Sequence, residues 1–357
     1  MDQLVKRNVI KKNKTIIDFG KKHTKLLAVH YEKGRMAIQR NAALDTISCY
    51  HENGQLDYNE IVRMINAALA DNHIARKHEI SLSLPSAMVT QKIVTAKNIK
   101  TRDLDKYIRK EYSSLGRANT VSHEMDWGYL GSREINGETV HYCMIAAVSK
   151  AHLIPLLKEF EKRKLKVTAV SSPVYNLIRL SDLFVNDYNY PNKMLLDFGS
   201  TQTRLVIVSG AVAVYARTIE IGFETFVHSL FQAFGGFVGI PDIIDILVNP
   251  DPYLGGLHDK DAFYAVVENL QTDIQNELIR IMRMCEEDEI PITKIICCSP
   301  ILDNTIETFG TQGIEIEHFR LNPEETAAGK NYIVLPGEAG LNTEYSSALG
   351  LAVSTLQ

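Results

Sequence analysis

The stretch that decides the fold is Ile16-Ile17-Asp18-Phe19-Gly20-Lys21-Lys22-His23-Thr24-Lys25-Leu26-Leu27-Ala28-Val29, because it occurs twice in the chain. The second copy is Leu195-Leu196-Asp197-Phe198-Gly199-Ser200-Thr201-Gln202-Thr203-Arg204-Leu205-Val206-Ile207-Val208. Aligned without a gap, the copies share Asp, Phe, Gly, Thr, Leu and Val, and most other positions differ by like-for-like exchanges. The repeat predicts a chain made of two related halves.

Each copy consists of an apolar strand, an aspartate, a glycine, a polar turn and a second apolar strand, which predicts a β-hairpin. Gly20 and Gly199 lack a Cβ atom, so backbone N–H groups could approach a phosphate closely at these positions. Both glycines could also adopt a positive φ. The aspartate at the end of each buried strand would hold a hydrated Mg²⁺. Two facing hairpins would therefore clamp a nucleotide. The alternative is that Asp-Phe-Gly only closes two tight hairpins.

Other catalytic motifs are missing from the sequence. Asp-Phe-Gly also occurs in protein kinases, but the kinase Gly-rich loop, strand lysine and His-Arg-Asp loop do not accompany it here. The chain also lacks a GxSxG elbow, an HExxH helix, a P-loop and a dinucleotide fingerprint. The kinase interpretation fails, and the repeated hairpins remain the main candidate for chemistry.

Composition points to an ordinary globular protein with two domains, since 357 residues exceed the usual size of one core. The 39 basic and 43 acidic residues give a net charge of −4, which implies neither nucleic acid nor a lipid surface as a partner. Five cysteines without CxxC spacing predict neither disulfides nor zinc and fit a reducing cytoplasm. No apolar run reaches the roughly 18 residues of a membrane span.

The elements between and after the hairpins are predicted from periodicity. Ile61 to Leu69 indicates an amphipathic helix, and residues 87–166 indicate an inserted α+β layer with Trp127 in a loop. The second half contains a long core helix through Phe263 to Cys285. Ser299 and Pro300 are suited to begin a helix, and Tyr345 to Leu356 indicates a closing helix.

This order of elements resembles that of the actin-like ATPases, and the place of the insertion resembles FtsA and the type IV pilus assembly family PilM. The stretches His141 to Lys150 and Tyr345 to Ala352 look most like PilM. The resemblance implies an α/β actin-like ATPase fold with two duplicated domains. The implied boundaries are 1–86 and 167–190 for the first domain, 87–166 for the insertion, 191–340 for the second domain, and 341–357 for a closing helix packed on the first.

The resemblance also implies a site for ATP and Mg²⁺. The matching positions are Asp18, Gly20, Lys21, Lys22 and His23 in the first phosphate loop, Asp197, Gly199, Ser200, Thr201 and Gln202 in the second, and Ser299 and Pro300 in the adenosine turn. Asp18 and Asp197 would hold the metal through water. The chain departs from the family where Lys21, Lys22 and His23 replace serines and where Cys298-Ser299-Pro300 replaces glycines. These departures favour a degenerate scaffold over an efficient ATPase.

PilM-like proteins bind the short cytoplasmic tail of the inner-membrane pilus protein PilN, so the resemblance implies a PilN-like partner. The expected binding place is the seam between the insertion and the first domain. Further implied partners are other pilus platform proteins and, by self-association, a second copy of the chain. The membrane would be reached only through partners, on the cytoplasmic face. The alternative is an FtsA-like, filament-forming ATPase of cell division, which tethers itself through a terminal amphipathic helix.

Overall fold

A computed structural model describes residues 12–32, 35–51, 55–116, 119–184, 190–248, 260–298, 313–319 and 345–354. The chain divides into two compact units, of which unit 1 comprises residues 1–186 with 320–357, and unit 2 comprises residues 187–319. The predicted domain boundary at residue 340 lies outside the described residues. Each unit is built around its own β-sheet.

The strands in chain order are β1 (Lys12–Asp18), β2 (His23–Glu32), β3 (Arg35–Asp45), β4 (Glu79–Ser83), β5 (Val89–Lys97), β6 (His123–Ile135), β7 (Glu138–Ser149), β8 (Val167–Ser171), β9 (Asn192–Phe198), β10 (Thr203–Ser209), β11 (Val212–Ile219), β12 (Lys294–Cys297) and β13 (Glu315–His318). The described helices are α1 (Tyr58–Asp71), α2 (Leu104–Glu111), α3 (Lys150–Lys162), α4 (Pro173–Leu180), α5 (Phe223–Ala233), α6 (Ile240–Val248), α7 (Lys260–Glu287) and α8 (Ser346–Ser354).

The sheets of the two units have the same topology. Their strand orders are β3-β2-β1-β4-β8 and β11-β10-β9-β12-β13, with an antiparallel meander followed by two parallel strands. The pairing shifts between Ala28 and Val29 in unit 1 and between Ile207 and Val208 in unit 2, which is the same position relative to each aspartate. A shared bulge in a shared topology confirms that the halves are related, as the repeated sequence predicts.

Helix α1 covers the unit 1 sheet with the apolar face that the sequence predicts. Ile61, Ile65 and Leu69 recur at intervals of four and are buried against Ile17 and Leu82 of the sheet. Asp57 caps the helix by accepting a hydrogen bond from the backbone N–H of Glu60. In unit 2 the predicted long helix is α7, whose buried face lies in that unit's core.

The insertion forms a three-stranded antiparallel sheet of order β5-β7-β6, with α2 packed on one face. The prediction that Trp127 lies in a loop is wrong, because Trp127 is in β6, opposite Ile145 of β7. Its indole N–H donates to Asp105 of α2 at 3.0 Å. The strand extends back to His123 because β6 pairs with β7 along nearly its whole length, with one register shift between Tyr129 and Gly131.

Helix α3 differs from the prediction that it belongs to the insertion. Leu156 and Phe160 are fully buried in the core of the unit 1 sheet, and the Phe160 ring packs edge-on against Phe19 of the first hairpin. The separate layer is therefore the sheet β5 to β7 with α2, whereas α3 completes the core of unit 1. The helix follows β7 directly, so chain order alone assigned it to the insertion.

The closing helix α8 packs on unit 1, against α4 and β1. Every residue from Ser346 to Val353 is buried, although few of the side chains are large. A Cβ atom at Gly350 would lie 1.9 Å from the backbone oxygen of Asn176, so only glycine permits this crossing of α8 over α4. Tyr31 of β2 donates a hydrogen bond to the backbone oxygen of Ala352 at 2.8 Å.

Within the described part of the chain, no helix is both long enough and apolar enough to cross a membrane. All five cysteines are free thiols and are buried.

Candidate functional site

The first hairpin places the Asp18 carboxylate at the end of β1, where the side chain is buried. Its Oδ1 atom accepts a hydrogen bond from the hydroxyl of Ser347 in α8 at 2.9 Å. Ser347 in turn accepts from the side-chain amide of Asn176 in α4 at 3.3 Å, and Asn176 accepts from Ser171 at 2.6 Å. A chain of neutral donors therefore holds Asp18 in place without cancelling its charge.

Gly20 is required by the hairpin itself. A Cβ atom there would lie 2.3 Å from the backbone oxygen of His23, and the residue does not adopt a positive φ. Thr46 ties down the turn, because its hydroxyl donates to the Gly20 carbonyl at 3.1 Å and its backbone N–H donates to the Lys22 carbonyl at 2.8 Å. The turn is thus held by its own packing and by Thr46, the residue that follows β3.

The second hairpin differs in charge. Asp197 is also buried, but its Oδ2 atom lies 2.8 Å from a guanidinium nitrogen of Arg204, directly opposite on β10. The side chains of this pair are only 10% and 16% exposed. A Cβ atom at Gly199 would lie 2.8 Å from the same guanidinium, so glycine makes room for Arg204. The arginine therefore neutralises the carboxylate that was predicted to hold Mg²⁺.

The polar side chains of the second turn are bound to carboxylates. Ser200 donates to Glu224 at 2.8 Å, and the amide of Gln202 donates to both oxygens of Glu220 at 3.0 and 2.8 Å. These groups were predicted to contact phosphate. Acidic neighbours repel phosphate unless a cation lies between them. The polar side chains of the second turn are therefore already hydrogen-bonded to carboxylates of unit 2.

The start of helix α5 docks on the same turn. The backbone N–H groups of Phe223 and Glu224 donate to the carbonyls of Gly199 and Ser200 at 3.1 and 2.8 Å. A Cβ atom at Gly222 would lie 2.4 Å from the carbonyl carbon of Thr201. Two of the N–H groups that often bind anions at a helix start are thus already satisfied.

The thiol of Cys298 lies behind the second hairpin. Its backbone N–H donates to Leu196 at 2.7 Å. Burial, and next the charge of Asp197, raise the pKa of the Cys298 thiol well above its ordinary value. The residue next to the predicted adenosine turn is therefore a neutral thiol that packs in the core. Ser299 and Pro300 lie outside the described residues.

The structure brings the predicted residues together in two groups, one in each unit. Lys21, Lys22 and His23 are partly exposed on the first turn, whereas Thr201 is exposed on the second. That the two hairpins face one another stays a prediction. Among the described residues, no group of three or more acidic, histidine or cysteine side chains is arranged to hold a metal ion.

The two hairpins differ as places for Mg²⁺ with a nucleotide. The Asp18 carboxylate accepts a hydrogen bond from a neutral hydroxyl and, among the described residues, has no arginine beside it like Arg204 at Asp197, so the first hairpin fits a hydrated cation. At the second hairpin the same cation would have to displace Arg204 from Asp197. These contacts favour Asp18 over Asp197 for metal binding, which stays a prediction for both residues.

Sequence reasoning missed the residues that distinguish the hairpins. Lys25 and Arg204 occupy equivalent places opposite the two aspartates, and the Lys25 ammonium lies 3.5 Å from where a Gly20 Cβ atom would be. The aligned repeats contain this signal as Thr-Lys and Thr-Arg. Ser347 gave no signal, because it is distant in the sequence and ordinary in type.

A comparison with protein families gives a match over residues 16–237 to the family described as "Type IV pilus assembly protein PilM". The chain belongs to the PilM family. The match covers more than half of the sequence and includes the first hairpin, the insertion and the second hairpin. This PilM protein is thus a type IV pilus assembly protein. A search of the curated proteins finds no match.

Solved structures show the fold. The "PilM-PilN type IV pilus biogenesis complex" matches with a TM-score of 0.76 at 14% identity, over 98% of this chain and 99% of that one. The ethanolamine utilization protein EutJ from Carboxydothermus hydrogenoformans matches with a TM-score of 0.49 at 10% identity, over 97% and 91% of the two chains. The match to the PilM-PilN complex shows that this PilM-family protein shares that fold, the actin-like ATPase fold that its sequence predicts.

Proposed function

We propose that this PilM-family protein is a cytoplasmic component of the type IV pilus assembly platform and binds the N-terminal tail of a PilN-like inner-membrane protein. The observation that carries the proposal is the likeness, over nearly the full length of both chains, to a protein solved in a PilM-PilN complex. The partner would bring the protein to the inner face of the membrane. Other platform proteins and a second copy of the chain are further proposed partners.

The contact between the insertion and the rest of unit 1 offers a place for the tail. We name it the seam and define it by Gln91 and Gly128 of the insertion and by Ser172 and Tyr175 of α4 and its cap. Ser172 donates a hydrogen bond to the side-chain oxygen of Gln91. The ring of Tyr175 lies 3.1 Å from where a Gly128 Cβ atom would be.

An exposed apolar side chain and a sheet edge lie beside the seam. Val170 precedes Ser172 by two residues and is 39% exposed. Val170 belongs to β8, the last strand at one edge of the unit 1 sheet. An extended tail could add backbone hydrogen bonds to such an edge and place an apolar side chain on Val170.

Replacing Val170 with glutamate should weaken tail binding about 30-fold, because a charge would enter an apolar contact worth about 2 kcal/mol. Titration calorimetry with a synthetic peptide of the tail measures the affinity. The matched control is Val121→Glu, the same exchange at a valine of the insertion that is 84% exposed. Equal affinity of V170E and wild type would contradict binding at the seam.

A nucleotide-driven role is the second candidate, as in an FtsA-like filament-forming ATPase or a pilus protein modulated by ATP. The observation in its favour is Asp18, which fits a hydrated Mg²⁺, with Lys21 and Lys22 on the same turn to attract phosphates. Bound Mg²⁺ would supply charge neutralisation for the phosphates. The ion-paired Asp197 favours a scaffold over steady hydrolysis.

Calorimetric titration with ATP and Mg²⁺ tests the nucleotide role. If nucleotide binds, Asp18→Asn should weaken the Mg²⁺-dependent affinity at least about tenfold, because the substitution removes the carboxylate charge beside the metal. Asp197→Asn is the matched exchange in the other hairpin and should have the smaller effect. Tight binding with steady phosphate release would overturn the scaffold interpretation, and a larger effect of D197N would contradict the assignment of Asp18.

A further inference from the structure

One segment of the insertion has a net positive charge, although the net charge of the whole chain is negative. From Lys92 to Glu111 the sequence has seven basic and three acidic residues, in a protein whose net charge is −4. This segment includes the edge strand β5, the turn after it and helix α2. We name it the basic face. Globular surfaces usually interleave both signs of charge, so the excess calls for a physical account.

Two of the three acidic residues of the basic face, Asp103 and Asp105, are paired with its arginines. Asp105 accepts from Arg109 at 3.0 and 2.9 Å and from the indole of Trp127 at 3.0 Å. Asp103 lies 3.7 Å from Arg102. These contacts cancel the carboxylate charges with arginine partners from the same segment. Five lysines and Glu111 are left, so the uncompensated charge of the segment is mainly positive.

The lysines point to solvent. Lys106 and Lys110 are four residues apart on α2 and share one exposed stripe, opposite the buried Leu104 and Ile108. The remaining members are also exposed and lie on β5 and in the turn that follows it: Lys92, Lys97 and Lys100. Within the described part of the chain, none of these five ammonium groups makes an ion pair.

Helix α3 interleaves both signs of charge, although Lys158 on the same helix makes no ion pair with any residue that the structure describes. There Glu159 contacts both Lys162 and Arg163, at 2.5 and 2.8 Å, so that both signs of charge alternate. The opposite edge of the insertion is acidic, since β6 exposes Glu124, Asp126 and Glu134. The small layer is thus polarised, with positive charge at β5 and α2 and negative charge at β6.

We propose that the basic face binds the anionic headgroups of a lipid bilayer. Flexible, unpaired lysines attract a charged surface diffusely and need no pocket, whereas recognition of a single phosphate usually uses arginines in fixed geometry. Each lysine near an anionic bilayer contributes about 1 kcal/mol at moderate salt. With this charge distribution, the insertion would bind with β5 and α2 facing the anionic bilayer and β6 facing away from it. This inference rests on the proposed function in one respect, since the PilN-like partner would bring the protein close to a membrane.

Vesicle co-sedimentation of the full chain tests this inference. The protein should sediment with phosphatidylglycerol vesicles but not with phosphatidylcholine vesicles, and 0.5 M salt (about a 4 Å screening length) should release it. The variant Lys100→Gln, Lys106→Gln, Lys110→Gln should bind about 100-fold more weakly, since three lysines contribute about 3 kcal/mol. The control variant Lys77→Gln, Lys158→Gln, Lys164→Gln removes three exposed lysines of unit 1 outside the basic face and should bind like wild type.

The outcomes separate this inference from the proposed function. The basic-face variant should keep its affinity for the tail peptide, because its substitutions lie outside the seam. Absence of wild-type binding to anionic vesicles, or equal losses in both triple variants, would overturn the inference even if the tail peptide binds. Binding to polyglutamate together with no binding to phosphatidylglycerol vesicles would also overturn it, in favour of an acidic polypeptide as the occupant.

Discussion

Replacing Gly350 with alanine should lower the free energy of unfolding by about 2 kcal/mol. The new Cβ atom would lie 1.9 Å from the backbone oxygen and 2.6 Å from the carbonyl carbon of Asn176, so two packed helices would have to move apart. Overpacking of this kind typically costs about 1 to 3 kcal/mol, and contact with rigid backbone puts it at the upper end. Helix propensity opposes the loss, since alanine gains about 1 kcal/mol over glycine. Sterics should dominate.

Urea denaturation of the purified protein measures this change. Ser354→Ala is the control in the same helix, because it adds no volume at a partly exposed position and should change stability by less than about 0.5 kcal/mol. Because α8 also carries Ser347, the G350A variant should loosen the hydrogen bond to Asp18. Stability equal to or above wild type would show that α8 does not cross α4 as described.

Replacing Arg204 with methionine should cost about 3 kcal/mol of stability. The exchange leaves Asp197 buried without its cation, and removal of one partner from a buried ion pair costs about 3 to 5 kcal/mol. The side chains keep a little exposure, which places the expected value at the lower end. Chemical denaturation of R204M, Asp197→Asn and the double variant gives the coupling energy directly.

The first hairpin supplies the control for Arg204. Lys25→Met makes the corresponding exchange opposite Asp18, whose carboxylate accepts a hydrogen bond from Ser347, and should cost less than about 1 kcal/mol. The double variant of Asp197 and Arg204 should recover part of the loss seen in R204M. Equal effects of R204M and K25M would refute the difference between the hairpins and would return Asp197 to the candidates for metal binding.

Local sequence patterns predicted the repeated framework well. Alternating and continuous apolar runs determine which strands are buried, and two copies of one pattern gave two sheets with the same topology. Helices α1 and α7 were predicted from periodicity, because each buries one face against its own unit. These features depend on neighbours in the sequence.

Features that depend on distant residues were not predictable. The hydroxyl that holds Asp18 comes from Ser347, more than 300 positions away, and the role of Arg204 depends on its register opposite Asp197. The hairpin turn at Asn136-Gly137 was predicted, but Trp127 was predicted in a loop because the sequence does not show how far β6 extends from that turn. The packing of α3 in unit 1 likewise depends on tertiary contacts with α1 and Phe19.

The central claim is that unit 1 holds a membrane-protein tail at the seam beside Val170. Photo-crosslinking tests it most directly, with p-benzoylphenylalanine placed at position 170 or, as control, at position 121 of the full chain. The account predicts that a tail peptide of the PilN-like partner becomes crosslinked from position 170 and not from position 121. A peptide that binds in calorimetry but crosslinks equally from both positions, or only from position 121, would contradict the account.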